Sequence, residues 1–149
     1  MKFYIGIDGG ASSTRGVLIN SNGETLSKIL INEGTNLKVY GELACVRIRE
    51  LITDLCKKSN LSVDDISSFG IGLAAVSYDM GRDFLFKELD RINISDKAIL
   101  LNDAEAAYKV LCQDDVGILV TVGTGVICMA KNSDGKVLRV AGKGHDKSD

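Results

Sequence analysis

The sequence predicts a mixed α/β fold built on a duplication: one domain with a mixed five-stranded sheet, then the opening three strands of a second copy. Three observations carry this expectation. Strand-like apolar runs bounded by Gly, Asn, Asp and Ser alternate with amphipathic helical stretches. The segment Asn20-Ser21-Asn22-Gly23-Glu24-Thr25-Leu26 returns as Asn132-Ser133-Asp134-Gly135-Lys136-Val137-Leu138, at a constant offset of 112 residues. Each copy is also preceded by strand, Gly-containing loop and strand, and repeats of this kind decide architecture.

The elements follow in order. Phe3–Asp8 reads as a buried strand, and Gly9-Gly10-Ala11-Ser12-Ser13 as a loop of small residues. Thr14–Ile19 and Thr25–Ile31 are strands joined through Asn22-Gly23, a hairpin signal because both residues tolerate positive φ. After Gly34-Thr35-Asn36 comes a long amphipathic helix with Leu43, Val46, Leu51 and Leu55 on its apolar face, ending near Ser59. Ile66–Leu73 is a strand, Asp83–Ile92 a helix and Ala98–Leu101 an aliphatic strand. Asp103–Cys112 is a helix whose first turn carries Asp103 and Glu105, favourable beside the positive helix end. Val116–Val122, Val126–Lys131 and Val137–Ala141 are strands, with Gly123-Thr124-Gly125 and Asn132-Ser133-Asp134-Gly135 between them.

Composition excludes several classes. The chain has 149 residues, 45% apolar and 26% charged, which is globular and not disordered. Lys and Arg number 18 against 20 Asp and Glu, so no basic excess points to nucleic acid. No apolar run approaches the ~18 residues that span a bilayer, and the start of the chain lacks the pattern of a signal peptide. Cys45, Cys56, Cys112 and Cys128 lie far apart, which fits reduced, mostly buried thiols in the cytoplasm better than a zinc site or disulfide framework. Residues 1–113 are expected to be self-sufficient and 114–149 to open a second domain. Three strands without helices leave an apolar face open. The expectation is therefore a truncated chain, with a missing C-terminal domain or, in a homodimer, another copy over that sheet.

Three motifs carry chemistry. In Gly6-Ile7-Asp8-Gly9-Gly10-Ala11-Ser12-Ser13-Thr14 an acid at a strand end precedes a loop without bulk. Glycines let backbone N–H groups approach a phosphate, Ser12 and Thr14 add hydroxyls, and Asp8 suits Mg²⁺ held through water. A tight hairpin serves the same pattern. Val122-Gly123-Thr124-Gly125 repeats the logic in the second copy, and two such loops across a cleft would grip a polyphosphate from both sides. In Leu101-Asn102-Asp103-Ala104 an acid sits between strand and helix, a place that serves a helix cap or a general base toward a hydroxyl. Gly70-Ile71-Gly72-Leu73-Ala74-Ala75 mimics a dinucleotide fingerprint, but its glycines fall inside the strand. No Gly-Lys-Ser/Thr triplet marks a P-loop.

Taken in order, Gly6-Ile7-Asp8-Gly9-Gly10 through Thr14, Asn102-Asp103-Ala104, Gly123-Thr124-Gly125 and the tail Val140-Ala141-Gly142-Lys143-Gly144-His145 to Asp149 resemble the BadF/BadG/BcrA/BcrD ATPase family. Within it they are most similar to the N-acetylglucosamine kinase and archaeal hexokinase branch of the sugar kinase/Hsp70/actin superfamily. The resemblance covers the whole chain. It implies duplicated ribonuclease-H-like (actin-like ATPase) domains with ATP and Mg²⁺ in the cleft, and ATP-dependent phosphoryl transfer to a sugar or amino sugar. It makes Asp8 the Mg²⁺-associated acid and places Gly9, Gly10, Ser12 and Thr14 on the first phosphate loop. Gly123, Thr124 and Gly125 fall on the second loop, and Asp103 on the acid that acts as base or metal-water ligand. Thr35 and Asn36 match a pair that contacts sugar hydroxyls, and Gly144 and His145 match a segment near the substrate. Asp149 matches an acid inside the family's closing motif, which agrees with truncation.

The sequence also departs from the pattern. Ala11 replaces a third Gly, and Val126 stands where a Ser follows Gly-Thr-Gly. The kinase branch holds the sugar with an Asp after a Gly-rich strand end. No acid falls there in Ala74-Ala75-Val76-Ser77-Tyr78-Asp79, and Asp79, slightly further on, is the substitute. The rival readings are a BadF-type ATPase driving electron transfer, against which the scattered cysteines argue, and a non-catalytic nucleotide-binding regulatory module.

Overall fold

The computed structural model describes residues 1–76, 79–113, 115–122 and 126–141. They form two compact units, Met1–Asp103 and Ala104–Asp149. The first is a five-stranded sheet with helices. Its strands are β1 (Phe3–Gly9), β2 (Thr14–Asn20), β3 (Thr25–Ile31), β4 (Ile66–Leu73) and β5 (Ala98–Asn102), in the order β3-β2-β1-β4-β5. β1 pairs antiparallel with β2 and parallel with β4, and β4 is parallel to β5, so the sheet is mixed as expected.

Helix α2 (Glu42–Lys58) buries the apolar stripe Ala44, Ile48, Leu51, Ile52 and Leu55, at the spacing of one helical face. It lies on β2 at Gly16, where an added Cβ would stand 2.7 Å from Leu55 Cδ1. Ser27 Oγ, buried in β3, donates to the Leu55 carbonyl at 2.9 Å. Two of the four apolar-face residues expected from sequence, Leu51 and Leu55, are buried and Val46 is half-buried, but Leu43 is 51% exposed because it lies in the first turn, off the stripe that Ala44, Ile48 and Leu55 form. The helix ends through Asn60, at φ 54°, with the Leu61 N–H on the Cys56 carbonyl at 3.0 Å. Without proline, asparagine supplies this left-handed stop. Asn93, at φ 55°, does the same for α3 (Asp79–Asp90). α3 begins at Asp79, earlier than the Asp83 expected from sequence. Buried Glu88 on α3 ties the helices together, with Arg49 Nε at 2.8 Å and Arg91 on its other oxygen.

Cys45 and Cys56 are buried among these apolar side chains. Burial pushes both thiols up to about 11, with Glu88 adding to the rise at Cys45 and Asp65 at Cys56. Unfolding releases them to the ordinary thiol range near 9.0. Their contribution to stability is thus fully present below about 9 and is lost as pH rises toward 11. The urea midpoint is expected to fall between pH 8 and pH 10.5, and a Cys45→Ala/Cys56→Ala variant is expected to lose most of that slope.

The second unit holds the three-stranded antiparallel sheet β6 (Gly117–Val122), β7 (Val126–Lys131) and β8 (Val137–Ala141), under helix α4 (Asp103–Cys112). Ala104 and Tyr108 of α4 bury against Met129, with Leu119 and Ile127 beside them. The division falls in the first turn of α4, earlier than the sequence boundary near residue 113, because the helix packs on this sheet. By register, Ile118, Val120, Val122, Val126, Cys128, Ala130, Leu138 and Val140 share the other face. That face carries no charge, and six of its residues are 47–78% exposed.

The repeated turns share the bonds that close them. Asn20 Oδ1 accepts the N–H groups of Asn22 and Glu24 at 2.9 and 3.1 Å, and Asn132 Oδ1 accepts those of Asp134 and Lys136 at 3.1 and 2.8 Å. Gly23 at φ 82° and Gly135 at φ 78° each donate to the Asn carbonyl of their own turn at 3.0 Å. Only a residue without a Cβ takes that φ at no cost.

Candidate active site

Sheet register gathers the candidates at one edge. Gly9 lies opposite Leu73, and Leu73 opposite Asn102, so the parallel strands β1, β4 and β5 end in one row. Asp103 follows Asn102 directly. Two strand spacings separate Gly9 from Asn102, roughly 10 Å. The carboxyl ends of parallel strands are where open α/β sheets bind ligands.

The first loop is tied to that edge by its backbone. The Gly9 carbonyl accepts the Ala74 N–H at 3.0 Å, Gly10 N–H donates to the Ser13 carbonyl at 3.0 Å, and the Gly10 carbonyl accepts the Thr35 N–H at 3.0 Å. The Ala74 carbonyl in turn accepts the Leu37 N–H at 3.3 Å. Gly9 is required by crowding: a Cβ there would stand 2.1 Å from Thr35 Oγ1 and 2.4 Å from Leu73 Cδ2. Ala11 and Ser12, by contrast, are exposed, so the outer side of the loop is open to a ligand.

Thr14 and Thr35 lie inside the fold and not on the open side of the loop. Both are fully buried, with hydroxyls 3.0 Å apart. Thr14 Oγ1 donates its proton to the Glu33 carbonyl at 2.9 Å, so Thr35 is the donor between the two. Both hydroxyls are thus engaged inside the fold, behind the loop. For Thr14 the cause is the strand period: Thr14, Gly16, Leu18 and Asn20 are the inward residues of β2.

Asn36 is the N-cap of a four-residue helix α1 (Leu37–Tyr40), with Oδ1 accepting the N–H of Lys38 at 3.0 Å and of Val39 at 3.3 Å. Its half-buried side-chain amide keeps two N–H donors without a partner among the described residues. Asp8 is exposed at the end of β1, 3.9 Å from Arg15, in a pair whose side chains are 70% and 64% exposed and which is therefore energetically slight. No group of three or more His, Cys, Asp or Glu able to cage a metal occurs among the described residues. A single accessible carboxylate beside an open loop fits a hydrated Mg²⁺ that keeps most of its waters. Asp103 is exposed as the first residue of α4. Asp79 opens α3. Gly123, Thr124, Gly125, Gly144 and His145 lie outside the described residues.

Several contributors escaped the sequence reading. Arg15 reaches Asp8 only through register. Ala75 holds φ 61° just after β4, a strained setting for alanine beside the Ala74 peptide groups that bind Gly9 and Leu37. Gly34, Tyr40 and Arg47 back the loop, and nothing in their spacing announced it.

Among the described residues no helix is long and apolar enough to cross a membrane. Residues 5–149 match the model of the BadF/BadG/BcrA/BcrD ATPase family. An N-acetylmuramic acid/N-acetylglucosamine kinase of Clostridium acetobutylicum is 31% identical over 150 residues, covering 97% of this chain and 47% of that protein. Glucosamine kinase GspK of Vibrio cholerae is 34% identical over 74 residues, covering 50% of this chain and 25% of that protein. A crystal structure of a candidate N-acetylglucosamine kinase from Chromobacterium violaceum aligns with a TM-score of 0.75 at 22% identity, over 97% of this chain and 50% of that one. The chain thus spans about half the length of the Clostridium relative and of the Chromobacterium structure. The mixed α/β fold that the resemblance implied is thus the fold shared with the Chromobacterium structure. With a five-stranded mixed sheet, a glycine loop at its carboxyl edge and a family match running almost end to end, this chain belongs to the BadF/BadG/BcrA/BcrD ATPase family.

Proposed function

We propose that this chain carries the phosphate- and acceptor-binding edge of a kinase that transfers the γ-phosphoryl of ATP to a hydroxyl of an amino sugar of the N-acetylglucosamine class. The observation that carries the reading is the alignment of Gly9, Leu73 and Asn102, which puts a glycine loop and the acid Asp103 at one edge. The kinase names of the two relatives support the reaction class.

In this reading the loop of Gly9, Gly10 and Ser12 receives phosphate oxygens on the Ser12 N–H and hydroxyl, with the two glycines leaving no side chain in the way. Asp8 holds Mg²⁺ through water, and that ion supplies charge neutralisation when bound. The amide of Asn36 donates to the acceptor sugar and fixes its orientation, with Asp79, Gly144 and His145 on the acceptor side. Gly123, Thr124 and Gly125 form the matching loop of the second unit. Asp103 takes the proton of the attacking hydroxyl as the new O–P bond forms and the bond to ADP breaks. Thr14 and Thr35 hold the loop in shape and touch neither substrate.

The test is coupled ADP release by the full reading frame that encodes this chain, with glucose, glucosamine and N-acetylglucosamine. The expected result is release that depends on sugar and is fastest with an amino sugar. ADP release indifferent to sugar would overturn the kinase reading in favour of an ATPase. ATP binding without turnover would overturn it in favour of a regulatory module.

A further inference from the structure

We propose that Tyr40 and Arg47 are positioning residues that aim the anion loop, acting through the segment 33–36 that backs it. The proposal rests on the reading above that this loop receives phosphate, and it adds what holds the loop in a receiving geometry.

The Ala11 carbonyl is fixed from two sides. Tyr40 Oη donates to it at 3.1 Å. Gly34 presses so close that a Cβ on it would stand 2.0 Å from the same oxygen. A trans peptide directs its C=O and the following N–H in opposite directions. Anchoring the Ala11 oxygen against Tyr40 and Gly34 therefore turns the Ser12 N–H away from them. That N–H has no partner among the described residues, and Ser12 is exposed. An exposed N–H whose direction is set by a buttress on the opposite side is what an anion site requires.

Arg47 secures the buttress. Its guanidinium lies over the Tyr40 ring at 4.9 Å, Nη1 donates to the Gly34 carbonyl at 2.8 Å, and Nε lies 3.4 Å from the Glu33 carboxylate. The Arg47 side chain is only 16% exposed. One planar group thus serves a ring, a carbonyl and a carboxylate at once, which an ammonium cannot do. Because Asn36 follows directly in the chain and caps α1, the same brace sets the acceptor-side amide in register with the loop.

The proposal is tested with Tyr40→Phe and Arg47→Lys in the full reading frame that carries this chain, by two readouts. The first is amide exchange at Gly10 and Thr35, whose N–H groups bond across the loop and the buttress, against core amides of β1 and β2. The second is the split of KM for ATP against kcat. Each variant is expected to speed exchange at Gly10 and Thr35 by about fivefold or more, the effect of one lost hydrogen bond, with core amides unmoved. KM for ATP is expected to rise by a similar factor while kcat changes less than about twofold. Unchanged exchange at Gly10 and Thr35 would overturn the brace, whatever the protein binds. Exchange rising equally throughout the core would overturn it as well, by showing ordinary packing. Faster loop exchange with unchanged KM would keep the brace and overturn the phosphate reading on which its purpose depends.

Discussion

Asp103→Asn is expected to lower kcat for phosphoryl transfer by about 10²- to 10⁴-fold, the usual range for removing a general base. The substitution keeps the shape of the side chain and removes its ability to take up a proton. Asp103 is exposed at the first position of α4, so no buried charge is uncovered by the change. Asparagine is also an accepted residue at helix starts. The urea midpoint is accordingly expected to move little, by less than about 1 kcal/mol in stability. KM for ATP should hold as well, because the loop at Gly9 and Gly10 is attached to β1 and not to α4. Single-turnover kinetics on wild type and variant, with urea unfolding of both, make the measurement. A kcat within tenfold of wild type would remove Asp103 from the chemistry and leave it as a helix cap.

Gly34→Ala is expected to damage both stability and nucleotide binding. Its Cβ would lie 2.0 Å from the Ala11 oxygen, 2.5 Å from the Ala11 carbonyl carbon and 2.8 Å from the Tyr40 ring. Two of these are backbone atoms, which cannot swing aside as a side chain end does. Relief needs a shift of about 1 Å between the loop and its buttress, and overpacking of this kind costs about 1–3 kcal/mol. That shift moves the Ser12 N–H, so ATP affinity is expected to fall by more than the stability change explains. Gly70→Ala is the matched control, because an added Cβ there meets nothing within 4 Å. Isothermal titration with ATP and urea unfolding on both variants check the pair. Equal behaviour of the two would mean that the close approach at Ala11 does not set the loop.

Much of the fold was readable because its signals are local. Alternating burial in β1 and β2, the Asn-Gly turn and the apolar spacing of α2 are all properties of residues a few positions apart. α1 escaped because four residues are too few to show a helical period, and its only herald was the capping asparagine at 36. The early start of α3 escaped because Met80, Gly81 and Arg82 show no apolar stripe. The candidate site divided along the same line. Asp8, Gly9, Gly10 and Asp103 stand at element ends and could be read from punctuation. The orientation of the Thr14 hydroxyl depends on which face of β2 is covered, and Thr35 meets Thr14 and Arg47 meets Gly34 through tertiary packing alone.

The uncharged side of the three-stranded sheet has a colloidal consequence. Ile118, Val120 and Val122 set an oily panel on an edge strand, where water is shed whenever two molecules meet. Sulfate and other excluded salts tighten such encounters. Concentrated stocks of this polypeptide will cloud first in those salts, and a lysine written in at Ile118 would delay the haze.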